Sequence, residues 1–345
     1  MPGPRACSTV ERGTLEGRAY LMYLPRGLCG GELALAPLLL LFHCYGCRAR
    51  MEVNKFARAA DAHGFVLLAP EGEMSPGDPA PSWNAPSCCG EAMASGRDDA
   101  AFADALAARA VETLPVRAGA IFASGFSNGG FMVSHLAAVG RTQLRGIAPT
   151  AGHEYVVRAK GPTPVFIHHC AADTFVNPLG CCDGGAEGGG GACCCGIGAG
   201  RARCVSTMDI FRDWLKLNGC ARQPVPFSIG GAACQAGVGC AANTSLCMHA
   251  NRCYHQAWSR SFSGADVIVA FFAREACSLT GGAWRGERCD GGAGRARMDR
   301  ESLKQKHGGG QSRRRELSTW SDRHGSPGLN ATAMLTRRRM ATSLP

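Results

Sequence analysis

Hydrophobic positions along the chain fall into short blocks of two kinds. Residues 37–42 (PLLLLF) and 65–69 (FVLLA) are continuous apolar runs, which predict strands buried on both faces. Residues 17–24 (GRAYLMYL) combine alternation with aromatics and predict an edge-like strand. Residues 51–63 carry apolar positions at helical spacing, and Asp98 is placed as the N-cap of a helix reaching about Leu114. Ala120 to Ser124 predicts a strand, followed after Gly125-Phe126-Ser127 by a helix to about Ala138. Two short strands follow, over 146–150 and 164–169. Val205 to Leu217 predicts a helix closed by Asn218-Gly219, and Val267 to Phe272 predicts the last buried strand. Strands alternating with helices of about a dozen residues predict an α/β fold, a mostly parallel sheet with helices on both faces. The Pro-, Gly- and Ser-rich stretches 76–96 and 179–203 read as loops.

The net charge of +10 changes this picture only once it is located. Residues 291–345 hold twelve Lys and Arg against four Asp and Glu, which leaves the first 290 residues near +2. A basic groove on the folded body is not expected, so no nucleic-acid partner is assigned. The Gly-, Arg- and Ser-rich segment from about Gly291 reads as a disordered basic tail, and the abruptness of the shift fits a frame error or mis-spliced exon as well. No apolar run reaches 18 residues, so no helical membrane span is expected. Twenty cysteines in 345 residues point to a disulfide framework and an oxidising, extracellular setting. Met1 to Arg26 contains no readable signal peptide, so the expectation of secretion implies an incomplete N-terminus. Cys44-x-x-Cys47 has no second pair at zinc spacing, and Cys181 to Cys195 lack regular metal-ligand spacing, so no metal is expected. Asn243-Thr244-Ser245 and Asn330-Ala331-Thr332 match the glycosylation pattern, a match that is common by chance.

The chemistry centres on Gly125-Phe126-Ser127-Asn128-Gly129-Gly130, between a predicted strand and a predicted helix. This is the context of a G-x-S-x-G nucleophile elbow. Such a turn strains the nucleophile's backbone, and its flanking positions must lack Cβ. Ser127 is the expected nucleophile, and the backbone N–H of Asn128 is expected to face a developing oxyanion. Asp173 lies four residues past a strand ending at about His169 and is the expected orienting acid. Trp83-Asn84 lies in a loop, where Trp83 either lines the substrate cleft or packs.

Several motifs together are more specific than the elbow. They are His43-Cys44-Tyr45-Gly46, Ala69-Pro70-Glu71-Gly72, Ser82-Trp83-Asn84, Cys88-Cys89-Gly90, Asp98-Asp99, His169-Cys170-Ala171-Ala172-Asp173 and Trp214 to Cys220. On these, roughly residues 15–285 resemble the polyhydroxybutyrate depolymerase and feruloyl esterase family of α/β-hydrolases. The resemblance implies one hydrolase domain over about 15–290, with a Cys/Gly-rich insertion at about 179–260. It implies hydrolysis of small or polymeric carboxylic esters without a cofactor, with Ser127 as nucleophile, Asp173 as acid and N–H groups of Tyr45 and Asn128 as oxyanion hole. Cys44 stands where the family's turn has glycine.

The family's base departs from the pattern. Its G-G-H-x-W-P-G stretch corresponds to Gly281-Gly282-Ala283-Trp284, where no histidine stands. Three readings are open. The sequence near Gly282 is damaged; another histidine serves; or the chain is a non-catalytic hydrolase-fold binding protein. Among the other histidines, His249 and His255 precede the expected last strand, the wrong chain order, and His324 lies in the tail. His153, His168 and His169 read as core or strand-end residues.

Overall fold

The computed structural model describes residues 7–74, 79–154, 157–180, 205–250, 253–255 and 263–278, with the backbone of 283–284 and 287–288. The expected tail, His324, the second sequon, the cysteines from Cys181 to Cys195 and Gly281-Gly282 lie outside the described residues.

The elements in order are β1 (Val10–Leu15), β2 (Arg18–Tyr23), α1 (Arg26–Cys29), β3 (Ala36–Phe42), α2 (Ala49–His63), β4 (Val66–Pro70), α3 (Gly90–Ala94) and α4 (Asp99–Thr113). Then come β5 (Val116–Phe126), α5 (Asn128–Val139), β6 (Gly146–Thr150), β7 (Val165–Cys170), α6 (Thr207–Leu217), β8 (Arg222–Ile229), β9 (Ala232–Val238), β10 (Thr244–His249) and α7 (Gly264–Ser278). A two-stranded ladder, β11 (Ala283–Trp284) with β12 (Glu287–Arg288), follows.

Ten strands form one sheet in the order β1-β2-β4-β3-β5-β6-β7-β10-β9-β8. The six from β4 to β10 are mutually parallel, with antiparallel pairs at both ends. The continuous apolar run of β3 follows from burial on both sides. Leu38, Leu40 and Phe42 join the core under α4, α5 and α6, with Phe131, Met132, Ile210 and Trp214. Leu39 and Leu41 join the opposite core under α2 and α7, with Val53, Phe56, Ile268 and Phe272. Each such side chain removed from water contributes about 1.5–3 kcal/mol.

Local signals end the helices, and the expected N-cap Asp98 is among them. Asp98 accepts from Ala101 N at 2.8 Å to cap α4, and Ser206 and Asp209 form a capping box on α6. Gly64 closes α2 in the left-handed region.

Three expectations change. First, the strand read at 17–24 is interior: β2 lies between β1 and β4, and β1 is the edge. At the other edge, β8 carries Pro224 and Pro226, which lack the N–H a further strand would pair with. Second, the stretch expected as an insertion over 179–260 is largely body. Residues 205–249 supply α6 and three strands of the main sheet, and β10 pairs in parallel with β7. Third, Val267 to Phe272 is part of the helix α7. Ala265, Ile268, Val269, Phe272 and Ala276 are buried at spacings of three and four, the face of a helix laid on the sheet. The last parallel strand is therefore β10.

Among the described residues, disulfides join Cys7–Cys29, Cys44–Cys47, Cys88–Cys89, Cys170–Cys253, Cys220–Cys240 and Cys234–Cys247. Cys44 and Cys47 thus hold each other. Asn243 donates to Glu275 Oε1 at 2.6 Å, so the amide of the first sequon is engaged within the fold. Among the described residues no helix is long and apolar enough to cross a membrane, and no group of three or more His, Cys, Asp or Glu is arranged to hold a metal ion.

Candidate active site

The elbow forms where the sequence places it. Ser127 follows β5 and precedes α5, with φ 56° and ψ −120°, a conformation unusual for a residue with a side chain. Its neighbours show why the turn needs glycines. A Cβ on Gly125 would lie 2.2 Å from Gly129 O, and one on Gly129 would lie 2.0 Å from Phe42 O. Gly130 N and Phe131 N both donate to Ser127 O, at 2.8 and 3.1 Å, which ties the nucleophile into the first turn of α5.

Asp173 lies just beyond β7 with its side chain fully buried. Phe175 N and Val176 N donate to its Oδ1 at 2.9 and 3.0 Å. His169 Nε2 lies 3.2 Å from Oδ2 and donates to Val176 O at 2.9 Å, while Thr207 donates to His169 Nδ1 at 2.7 Å. Val176 O and the Asp173 carboxylate can only accept, which keeps the His169 proton on Nε2 and leaves Nδ1 to accept from Thr207. Burial pushes the Asp173 carboxyl upward, but the hydrogen bonds from His169, His255 and the Val176 N–H outweigh it. They hold the group well below the usual carboxylate range.

His255 is the residue that sequence reasoning set aside. Its Nδ1 donates to Asp173 at 2.9 and 3.1 Å, and its Nε2 accepts from Ser127 Oγ at 2.7 Å. The imidazole lies between Phe126 and Phe175, at ring-centroid distances of 5.0 and 5.1 Å. The objection of chain order is corrected by α7. With β10 as the last parallel strand, His255 follows it by six residues, and the order is Ser127, Asp173, His255. The helical spacing of buried positions in 264–278 is the signal that would have found it.

The turn after β3 is held by His43. Gly72 N donates to His43 Nε2 at 2.8 Å, and His43 Nδ1 donates to Cys44 O at 2.7 Å. Burial pushes this imidazole down to about 4, so it stays neutral beside Glu71 at neutral pH. Tyr45 is exposed on this turn, its ring over Gly90.

Trp83 takes the packing alternative. It is 0% exposed, so it does not line an open cleft. Its indole N–H donates to His43 O at 2.9 Å, and its edge meets the Phe42 ring. Its backbone exchanges two bonds with the Asn128 amide: Trp83 N to Oδ1 at 2.8 Å and Nδ2 to Trp83 O at 3.0 Å. Asn128 Nδ2 also donates to Cys88 O at 2.8 Å. The W-N, C-C-G and D-D motifs thus form one brace: buried Asp99 accepts from Asn84 N and from Arg18, whose guanidinium lies over Phe102. The brace locks the turn after β3 against the elbow. Three further histidines are core residues. His153, His168 and His249 are buried, and burial pushes His153 down to about 3 and His249 to about 4.

The chemistry available is that of a polarised serine. Asp173 fixes the Nδ1–H tautomer of His255, so Nε2 faces the Ser127 hydroxyl as an acceptor.

No family model matches the chain, and no curated relative matches it. Among solved structures it is similar to an acetyl xylan esterase from Aspergillus awamori, with TM-score 0.52 and 10% identity, covering 77% of this chain and 99% of that one. It is also similar to an S-formylglutathione hydrolase from Agrobacterium tumefaciens, with TM-score 0.46 and 13% identity, covering 77% and 94%. A third is esterase PE8, with TM-score 0.45 and 16% identity, covering 72% and 95%. The likeness to the first, together with the sheet order and the elbow, shows the α/β-hydrolase fold in this chain.

Proposed function

We propose that the chain is a serine hydrolase of carboxylic esters that works through an acyl-enzyme on Ser127. The observation that carries the reading is the continuous row Ser127 Oγ, His255 and Asp173, at 2.7 and 2.9 Å. Ser127 Oγ attacks the ester carbonyl as His255 Nε2 takes its proton. The oxyanion is met by the N–H groups of Tyr45 and Asn128. His255 then gives the proton to the leaving alkoxide, and a water activated by the same nitrogen releases the acid. No cofactor takes part.

The finer assignment, to feruloyl esters or hydroxyalkanoate polymers, rests on the sequence resemblance. Secretion is proposed on the disulfides among the described residues, which persist in oxidising compartments. The non-catalytic reading rested on a missing base, and His255 at hydrogen-bonding distance removes that ground.

The test is hydrolysis of a short nitrophenyl ester and of methyl ferulate, with Ser127→Ala as control. Turnover that vanishes in the variant is expected. Turnover no greater than that of the variant would overturn the reading. The preference between the two esters sharpens the substrate class.

A further inference from the structure

The loop that carries His255 leaves the sheet at His249, the end of β10, beside the end of β7 that leads to Asp173. The two strand ends are register partners, His249 opposite Cys170, and Ala171 N donates to His249 O at 2.8 Å. Immediately beyond this rung, Cys170 is bonded to Cys253. Cys170 lies three residues before Asp173, and Cys253 lies two before His255. The same bond therefore holds the segments bearing the acid and the base. Residues 82 positions apart in the chain, Asp173 and His255, meet at 2.9 Å next to it.

Among the described residues, Cys44–Cys47 and Cys88–Cys89 each close within a few residues, at the turn after β3 and at the brace on Asn128, and no other cross-link joins the acid and base segments. Cys7–Cys29 lies beside β1, and Cys220–Cys240 and Cys234–Cys247 staple β8, β9 and β10. Cys170 and Cys253 are 0% and 2% exposed, which shields the sulfurs from solvent reductants and suits a permanent tie rather than a sensor.

We propose that the Cys170–Cys253 disulfide is a positioning device for catalysis, holding His255 in register between Asp173 and Ser127. The proposal rests on the serine-hydrolase reading above. A bond two residues from the imidazole acts on its position, and a shift of about 1 Å in a reacting group lowers rate about 100-fold. Substrate contacts made away from the loop are untouched, so the loss falls on kcat.

The experiment compares the pair Cys170→Ala and Cys253→Ala with the control pair Cys7→Ser and Cys29→Ser, on the nitrophenyl ester. The expected result is a kcat about 100-fold lower with KM within about threefold for the first pair. The control pair should keep kcat within about threefold. A second readout separates position from general structure: the far-downfield resonance of the His255 Nδ1 proton should be lost in the first pair and kept in the control. A folded first pair with near-native kcat and the resonance intact would overturn the proposal, as would an equal kcat loss in the control. If the alanine pair does not fold, Cys170→Val with Cys253→Ala restores buried volume. If that pair also fails, wild type is reduced stepwise in mild urea, alkylated and mapped by mass. Activity that survives opening of Cys170–Cys253 then overturns the proposal, and loss that tracks this bond alone supports it. Survival of wild-type turnover in Ser127→Ala would instead bring down the serine reading, whatever the cysteine pairs show.

Discussion

The elbow and the base loop meet at one hydrogen bond but are built in opposite ways. Ser127 is fixed by neighbours in sequence: β5 before it, α5 after it, and glycines that let the turn lie against Phe42 O. His255 is fixed by distant partners: Asp173, the flanking rings of Phe126 and Phe175, and the cross-link at Cys253. The elbow is part of the core, so its geometry and the stability of the fold are one property. His255 itself belongs to neither core cluster. Changes at the two places should therefore fail differently, the elbow through stability and the base loop through rate.

The sharpest form of that contrast is His255→Ala. Without the imidazole the Ser127 hydroxyl keeps its proton and is a poor nucleophile. Loss of the base lowers kcat by about 10⁶, or about 8 kcal/mol of transition-state stabilisation. The side chain is 21% exposed and belongs to neither core cluster, so the melting temperature should barely move. Steady-state kinetics alongside thermal unfolding reads both quantities. A large loss of stability would show that the base loop is part of the core after all.

Gly129→Ala is the converse. The added Cβ meets Phe42 O at 2.0 Å and His43 O at 2.7 Å, both backbone atoms of the central strand and its turn. Neither can move without disturbing β3 and the brace made by Trp83. The expected loss is at least about 3 kcal/mol by chemical denaturation, since overpacking against backbone has no cheap relief. A near-native midpoint would show that the elbow has slack.

This difference also governs what could be read from the sequence. Ser127 and Asp173 were legible because each lies at the end of a buried strand whose apolar run announces it. β3 to β7 were legible for the same reason. His255 was hidden by one misreading. Val267 to Phe272 is apolar at nearly every position, and a short apolar run does not distinguish strand from helix. Taken as a strand, it displaced the end of the sheet past His255. β8 to β10 were missed because their cysteines and small residues resemble a loop, and their pairing with β7 is non-local. Trp83 was ambiguous because its work, donating to His43 O and clasping Asn128, is visible only in three dimensions.

One residue lies between the elbow and the acid and gives the smallest predicted effect. His153 packs near Phe131 of α5 on the elbow side, and its ring meets the edge of His169, which holds Asp173. It is buried, and its Nδ1 has no hydrogen-bond partner among the described residues. Burial pushes the imidazole from 6.5 down to about 3. Between those two values the unfolded chain binds a proton that the folded chain refuses, so stability falls as pH drops through 6.5 and the loss saturates near 3. At pH 5 this site alone costs about 2 kcal/mol relative to pH 8. His153→Phe keeps an aromatic ring and removes the titration. The measurement is the difference in unfolding free energy between the two pH values, for wild type and variant, which cancels any change in packing. The variant should lose about 2 kcal/mol less than wild type on acidification. An identical pH dependence in both would mean that His153 takes up its proton in the folded state. The space between elbow and acid loop would then be open to water, and the elbow side would not be part of a closed core.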